Sequence, residues 1–163
     1  MDIYGKRFET QLKNDWRKIK GAWIYRLKDI MSGYKKISNI SDFIGYMYPY
    51  MFALEAKTEK GNTLNFARIR QYDDLKTCIG YPGLNAGIII WFYNRQKVCY
   101  VSIEECIRLK EGLGKKSIHV DMVGDPSYNV IEIPSELRRT FMNSDYTIMK
   151  DIADKKFKDC INN

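Results

Sequence analysis

Apolar residues in the first twenty positions fall at Phe8, Leu12, Trp16 and Ile19, at spacings of four, four and three. That rhythm sets them on one stripe of an amphipathic helix over residues 3–20, and Gly21 ends it. Ala22 to Lys28 mixes aromatic and branched apolar residues and predicts a strand. Residues 29–41, with Ser32, Gly33, Ser38, Asn39 and Ser41, are expected as a loop. Strands follow over 42–46 and 50–58, joined by a short turn at Pro49. A loop at Gly61-Asn62 leads to a predicted helix over 66–79, broken by Tyr81-Pro82-Gly83. Two more strands, 86–93 and 98–102, flank a turn over 94–97. Ser102 and Glu105 stand at the spacing of a capping box at the start of a further helix. Strand or loop is expected over 117–134 and a final helix over 144–159. This order predicts an α/β fold with helices flanking a mixed sheet, in a single domain over residues 1–163.

Composition narrows the class. The chain has 163 residues, 45% of them apolar, enough for one domain with a hydrophobic core. No apolar run approaches the ~20 residues that cross a bilayer, and MDIYGKRFE has no apolar signal region, so the expected place is the cytoplasm and no membrane partner is expected. Cys78, Cys99, Cys106 and Cys160 form no C-x-x-C pair and are read as reduced thiols. With one histidine, His119, the sequence offers no zinc site, and His119 beside Ser117 is read as a packed or surface imidazole rather than a general base. The net charge is +7, and residues 1–36 hold ten Lys/Arg against four Asp/Glu. Such a concentration points to a polyanion, nucleic acid first and an anionic membrane second.

The strand Met51 to Thr58 carries the chemistry. Side chains alternate along a strand, so Phe52, Leu54 and Ala56 share one face and Ala53, Glu55 and Lys57 share the other. The second face places a carboxylate and an ammonium two residues apart. Asp42, thirteen positions before Glu55, begins the preceding strand, and a short hairpin would bring the two carboxylates together. Asp42, Glu55 and the backbone carbonyl of Ala56 would offer the hard oxygen ligands that Mg²⁺ prefers, with Mn²⁺ as an alternative. Lys57 beside them could orient an attacking water or stabilise developing negative charge. A solvated cross-strand ion-pair face accounts for Glu55 and Lys57 equally well on spacing alone.

The pattern Asp-(x)12-Glu-Ala-Lys, with Asp42 in Ser-Asp-Phe-Ile-Gly and Glu55 in Phe-Ala-Leu-Glu-Ala-Lys-Thr, resembles the PD-(D/E)xK nuclease core. More narrowly, residues 5–105 are similar to RecU-type Holliday-junction resolvases. The resemblance implies a restriction-endonuclease-like core and a magnesium-dependent endonuclease acting on four-way DNA junctions. It also adds two site residues. Glu9, in Gly5-Lys6-Arg7-Phe8-Glu9, matches a glutamate near the metal, and Gln71, in Phe66-Ala67-Arg68-Ile69-Arg70-Gln71, matches the glutamine of the helix after the Glu-Ala-Lys strand. The basic stalk that the family inserts before the aspartate would fall in residues 29–41 and is short here, which suggests a phage or prophage version.

Arg68 and Arg70 beside Gln71, Lys35 and Lys36 in the loop, and Lys13 and Arg17 on the first helix, with Lys18 and Lys20, are the candidate phosphate contacts. Paired incisions across a symmetric junction imply a two-fold homodimer. Two alternatives stand: another PD-(D/E)xK nuclease acting on linear or flapped DNA, and a DNA-binding module without catalysis.

Overall fold

The computed structural model describes residues 3–32 and 35–163, and side chains outside residues 30–37. Helix α1 (Ile3–Arg17) leads through a turn at Gly21 into strand β1 (Ala22–Arg26). Strands β2 (Ile30–Ser32) and β3 (Lys35–Ile37) pair with each other. Then come β4 (Phe43–Met47), β5 (Tyr50–Glu59), β6 (Thr63–Asn65), the short helix α2 (Tyr72–Lys76), β7 (Leu84–Phe92) and β8 (Lys97–Ser102). Helix α3 (Ile103–Ile107) runs on as a π-helical turn to Gly112. The chain finishes with β9 (Ser117–His119), β10 (Val130–Glu132), the hairpin β11 (Ser135–Arg138) and β12 (Phe141–Ser144), and helix α4 (Ile148–Asn162).

A six-stranded sheet in the order β1-β4-β5-β7-β8-β10 forms the centre. Only β5 and β7 run parallel within it; the other neighbours are antiparallel. Parallel neighbours need a crossover, and residues 60–83 supply it, carrying α2 over one face. The expected α/β architecture with a mixed sheet between helices is the one observed.

Both faces of the sheet are covered, which is why Ile88, Ile89 and Ile90 are all fully buried. On one face, Phe52, Leu54, Ile89, Trp91 and Tyr100 pack under Phe8, Leu12 and Trp16 of α1 and Met149 and Ala153 of α4. Burying side chains of this size contributes roughly 1.5–3 kcal/mol each. On the other face, Ala53, Ile88, Ile90, Cys99 and Val101 lie under Phe66, Ile69, Tyr72, Leu75, Cys106 and Leu109. The strand β5 therefore has no solvated side at its middle.

Three expectations are corrected. The helix predicted over 66–79 is a 3₁₀ turn at Phe66–Arg68, a break at Ile69, and the five-residue α2. Phe66, Ile69, Tyr72, Leu75 and Cys78 are all buried, and their spacing is three. Each step of three falls about 60° short of a full α-helical turn, so one straight α-helix could not keep all five on the sheet. The Asn65 side chain fixes the first turn by accepting from the Ala67 amide at 2.9 Å. The expected loop at 29–41 contains the β2–β3 pair. The capping box at α3 is half made: Ser102 Oγ accepts from the Glu105 amide at 3.2 Å, while the Glu105 carboxylate turns to Arg108 and to the Asn129 amide.

The four cysteines are free, three of them buried. His119 Nδ1 accepts from the Asp121 amide at 3.0 Å and caps a 3₁₀ turn. Among the described residues, no helix is long and apolar enough to cross a membrane.

Candidate active site

The register of the sheet brings the acidic pair together. Phe43 stands opposite Leu54 and Arg26 opposite Phe43, so one step further along Leu27, Asp42 and Glu55 are neighbours across three strands. The Leu27 amide donates to the Asp42 carbonyl at 2.8 Å, and the Ala56 amide donates to Asp42 Oδ2 at 3.0 Å. Asp42 and Glu55 share a sheet face, by the alternation that puts Ile44 and Ala53 there too.

Glu55 is 1% exposed. Lys57 Nζ lies 2.7 Å from Glu55 Oε1 as an ion pair, yet neither carboxylate oxygen of Glu55 has a well-directed hydrogen bond. Burial pushes the Glu55 carboxyl up to about 7; the charge of Asp42 adds to that rise, and Lys57 works against it. A solvated ion-pair face is thereby excluded for Glu55. A buried carboxylate that faces another, with a single ammonium beside it, is costly unless a further positive charge sits between the two.

Glu59, two residues beyond Lys57, continues the same face. It is buried and forms an ion pair with Arg68, so the row Glu55-Lys57-Glu59 ends on one of the predicted phosphate contacts. Sequence reasoning missed Glu59, although its parity with Glu55 and Lys57 was the available signal. Gln71 precedes α2, with its Oε1 buried and without a hydrogen-bond partner. Arg70 is exposed.

Glu9 reaches from α1 to Arg26, whose Nε donates to Glu9 Oε2 at 2.5 Å. That hydrogen bond raises the Arg26 guanidinium above its ordinary value, against burial, and Asp42 and Asp29 add to the rise. Arg26 is therefore bound to Glu9 and also feels the Asp42 charge. Lys13 borders this pair with Lys6 and Thr10, and Arg17 is exposed a turn further along α1. Lys18 is held by Asp15 and Asn143, and Lys20 is exposed. The side chains of Lys35 and Lys36 lie outside the described residues. Among the described residues, no three of His, Cys, Asp and Glu come together as a metal cluster; the structure joins Asp42 with Glu55 and leaves Glu9 on Arg26.

The family model described as RecU, Recombination protein U, matches residues 13–143. No curated protein matches the chain. Among solved structures, Hjc of the archaeal hyperthermophile Archaeoglobus fulgidus, a Holliday junction resolvase, is similar at a TM-score of 0.55 and 18% identity, over 78% of this chain and 95% of that one. At that identity the likeness establishes a shared fold, the mixed sheet and its flanking helices.

Proposed function

The chain belongs to the RecU family, recombination protein U, and from that membership we propose that it is a structure-selective, divalent-metal-dependent endonuclease that resolves four-way DNA junctions. The observation that carries the metal reading is the Glu55 carboxylate, buried beside Asp42 with the Lys57 ammonium as its ion-pair partner and neither oxygen in a well-directed hydrogen bond. That donor set fits a hard cation: two carboxylates and, next to them, the Ala56 carbonyl. An extended residue directs its N–H and C=O to the same neighbouring strand, so the Ala56 carbonyl falls on the Asp42 side. Mg²⁺ suits such oxygens and leaves positions for water and phosphate, and Mn²⁺ would serve as a substitute. Once bound, the ion supplies a water of lowered pKa and offsets charge on the phosphate.

The residues of this chain do the rest. Asp42 and Glu55 would hold the ion, with Asp42 fixed in place by the Ala56 amide. Lys57, partly exposed at the mouth of the site, would orient the attacking water and donate to the phosphate oxygen on which charge grows. Gln71, with its unpartnered buried oxygen, would accept from that water or from Lys57. Glu9 would act on the same network through Arg26. Arg68, Arg70, Lys13, Arg17, Lys35 and Lys36 would contact phosphates and set the salt dependence. Two copies related by a two-fold axis would place two such sites on one junction.

The test is cleavage of a labelled four-way junction, a Y-fork and a linear duplex, each with Mg²⁺ and with EDTA. Symmetric, metal-dependent cuts confined to the junction are expected. Equal cutting of linear duplex would replace resolution with a broader nuclease activity, and no cutting by well-folded protein would leave a DNA-binding module.

A further inference from the structure

The face that holds Asp42 and Glu55 does not end at the site. Ile44 pairs with Tyr25 and Tyr46 with Trp23, so by strand alternation both aromatic residues of the edge strand β1 stand on that same face. The helices that cover the face further along the sheet do not reach them. Trp23 is 51% exposed and Tyr25 49%, while Ile24 between them is buried in the opposite layer. Their rings lie 9° from parallel with centroids 6.1 Å apart. Half-buried Tyr46 and Ile44 form the floor beside them.

We propose that Trp23 and Tyr25 form a stacking ledge for the nucleobase faces left unstacked at the branch point of DNA engaged at the Asp42–Glu55 site. The proposal rests on the nuclease reading above and names the part of the substrate that the ledge takes. Two exposed, nearly parallel rings match the way unstacked bases are held on aromatic side chains, and every base presents a π-face, so such a ledge reads exposure rather than sequence. Charge agrees. Exposed Lys20 and Lys28 stand at the two ends of this strand, in the segment of residues 1–36 where ten Lys/Arg outweigh four Asp/Glu; a phosphate backbone is the complementary partner. Distance agrees as well. With ~3.3 Å per residue and ~4.8 Å between strands, Tyr25 and Trp23 lie roughly 12–16 Å from Glu55 along the sheet. That is the reach of about four stacked nucleotides at ~3.4 Å each. Linear duplex, with every internal base pair stacked between two neighbours, offers the ledge nothing.

The experiment is a pair of titrations of the full chain with a four-way junction and with linear duplex, in the absence of divalent metal. Trp16 and Trp91 are buried, so of the three tryptophans Trp23 reports contact through quenching of its fluorescence. Quenching by junction and not by duplex is expected. In fluorescence anisotropy, the double variant Trp23→Ala/Tyr25→Ala should lose about tenfold or more in junction affinity with duplex affinity unchanged, and Trp23→Phe/Tyr25→Phe should keep most of it. Wild-type binding to junctions with undiminished affinity in the double alanine variant overturns the ledge and spares the nuclease reading. Failure of the wild type to bind any branched DNA overturns both. A dimer that becomes a monomer in the double alanine variant, with per-site junction affinity retained, would make this strand an interface between copies instead.

Discussion

Asp42 is anchored by Ala56: the amide of that residue donates to Asp42 Oδ2 at 3.0 Å. The aspartate is therefore positioned by the strand that carries Glu55, and the two carboxylates approach each other as a consequence of strand pairing rather than of side-chain flexibility. Preorganisation of this kind is what a metal-binding pair needs, because the repulsion between the two groups is met during folding and not at the moment of binding.

Glu55→Ala and Asp42→Ala should each lower junction cleavage by about 10²–10³ or more, while junction binding measured by anisotropy stays close to wild type. Loss of binding in parallel with loss of cleavage would mean that these residues hold the DNA or the fold instead.

The acidity of Glu55 gives a signature in pH. Its carboxyl is pushed up to about 7 by burial and then by Asp42, from an ordinary value of 4.5. Between these values the folded, metal-free protein holds a proton that the unfolded chain has released. Its contribution to stability is complete below pH 4.5 and is lost as pH rises through 7. Metal-free wild type should therefore fall in Tm across that window relative to Glu55→Gln, and Mg²⁺ at pH 8 should raise the Tm of wild type alone. Melting curves that run parallel for the two proteins from pH 4 to pH 8, without a magnesium effect, would reject the pairing as drawn.

Arg68 and Arg70 should separate in urea. Arg68 neutralises the buried Glu59, so Arg68→Ala leaves a buried carboxylate without its cation and should cost about 1–3 kcal/mol. Arg70 is exposed, and Arg70→Ala should stay within about 0.5 kcal/mol. Both variants should flatten the salt dependence of DNA binding. Equal urea midpoints would show that the Glu59 pair carries no stability.

Gly87 is a packing test of the sheet. A Cβ there would meet the Tyr100 ring and the Val101 carbonyl, each at 2.5 Å. Gly87→Ala should destabilise by about 1–3 kcal/mol or more, read from chemical unfolding, with Gly61→Ala as the control, since a Cβ at Gly61 meets nothing within 4 Å.

Much of this was legible in the residues. The stripe Phe8-Leu12-Trp16 gave α1, and the period of two in β5, with a short hairpin before it, was enough to set Asp42 opposite Glu55. The failures have physical causes. Alternation in β5 suggested one covered face, because Ala53 is too small to announce a second core; the crossover and α3 supply it from distant sequence. The three-residue spacing of Phe66, Ile69, Tyr72 and Leu75 satisfies a helical template loosely while ruling out a continuous α-helix. The Glu9 contact to Arg26 depends on how α1 crosses β1, a tertiary relation with no local trace. Beyond residue 115, short strands and turns carry little periodicity: the strand-or-loop expectation over 117–134 contains β9 and β10 without placing them, the β11–β12 hairpin was not anticipated, and α4 was expected a few residues early at its start.

The layer over Phe52, Leu54 and Ile89 is assembled from the two extremes of the chain, α1 and α4. Asp15 of α1 accepts from the Ser144 amide at 2.9 Å, 129 positions away, and Tyr50 donates to Asp154 at 2.5 Å. During synthesis, α1, β4 and β5 emerge early, but the groove between them stays unroofed until residues 142–154 have cleared the ribosome. That side of the sheet is therefore roofed only once β12 and α4 have been made, long after the strands it covers.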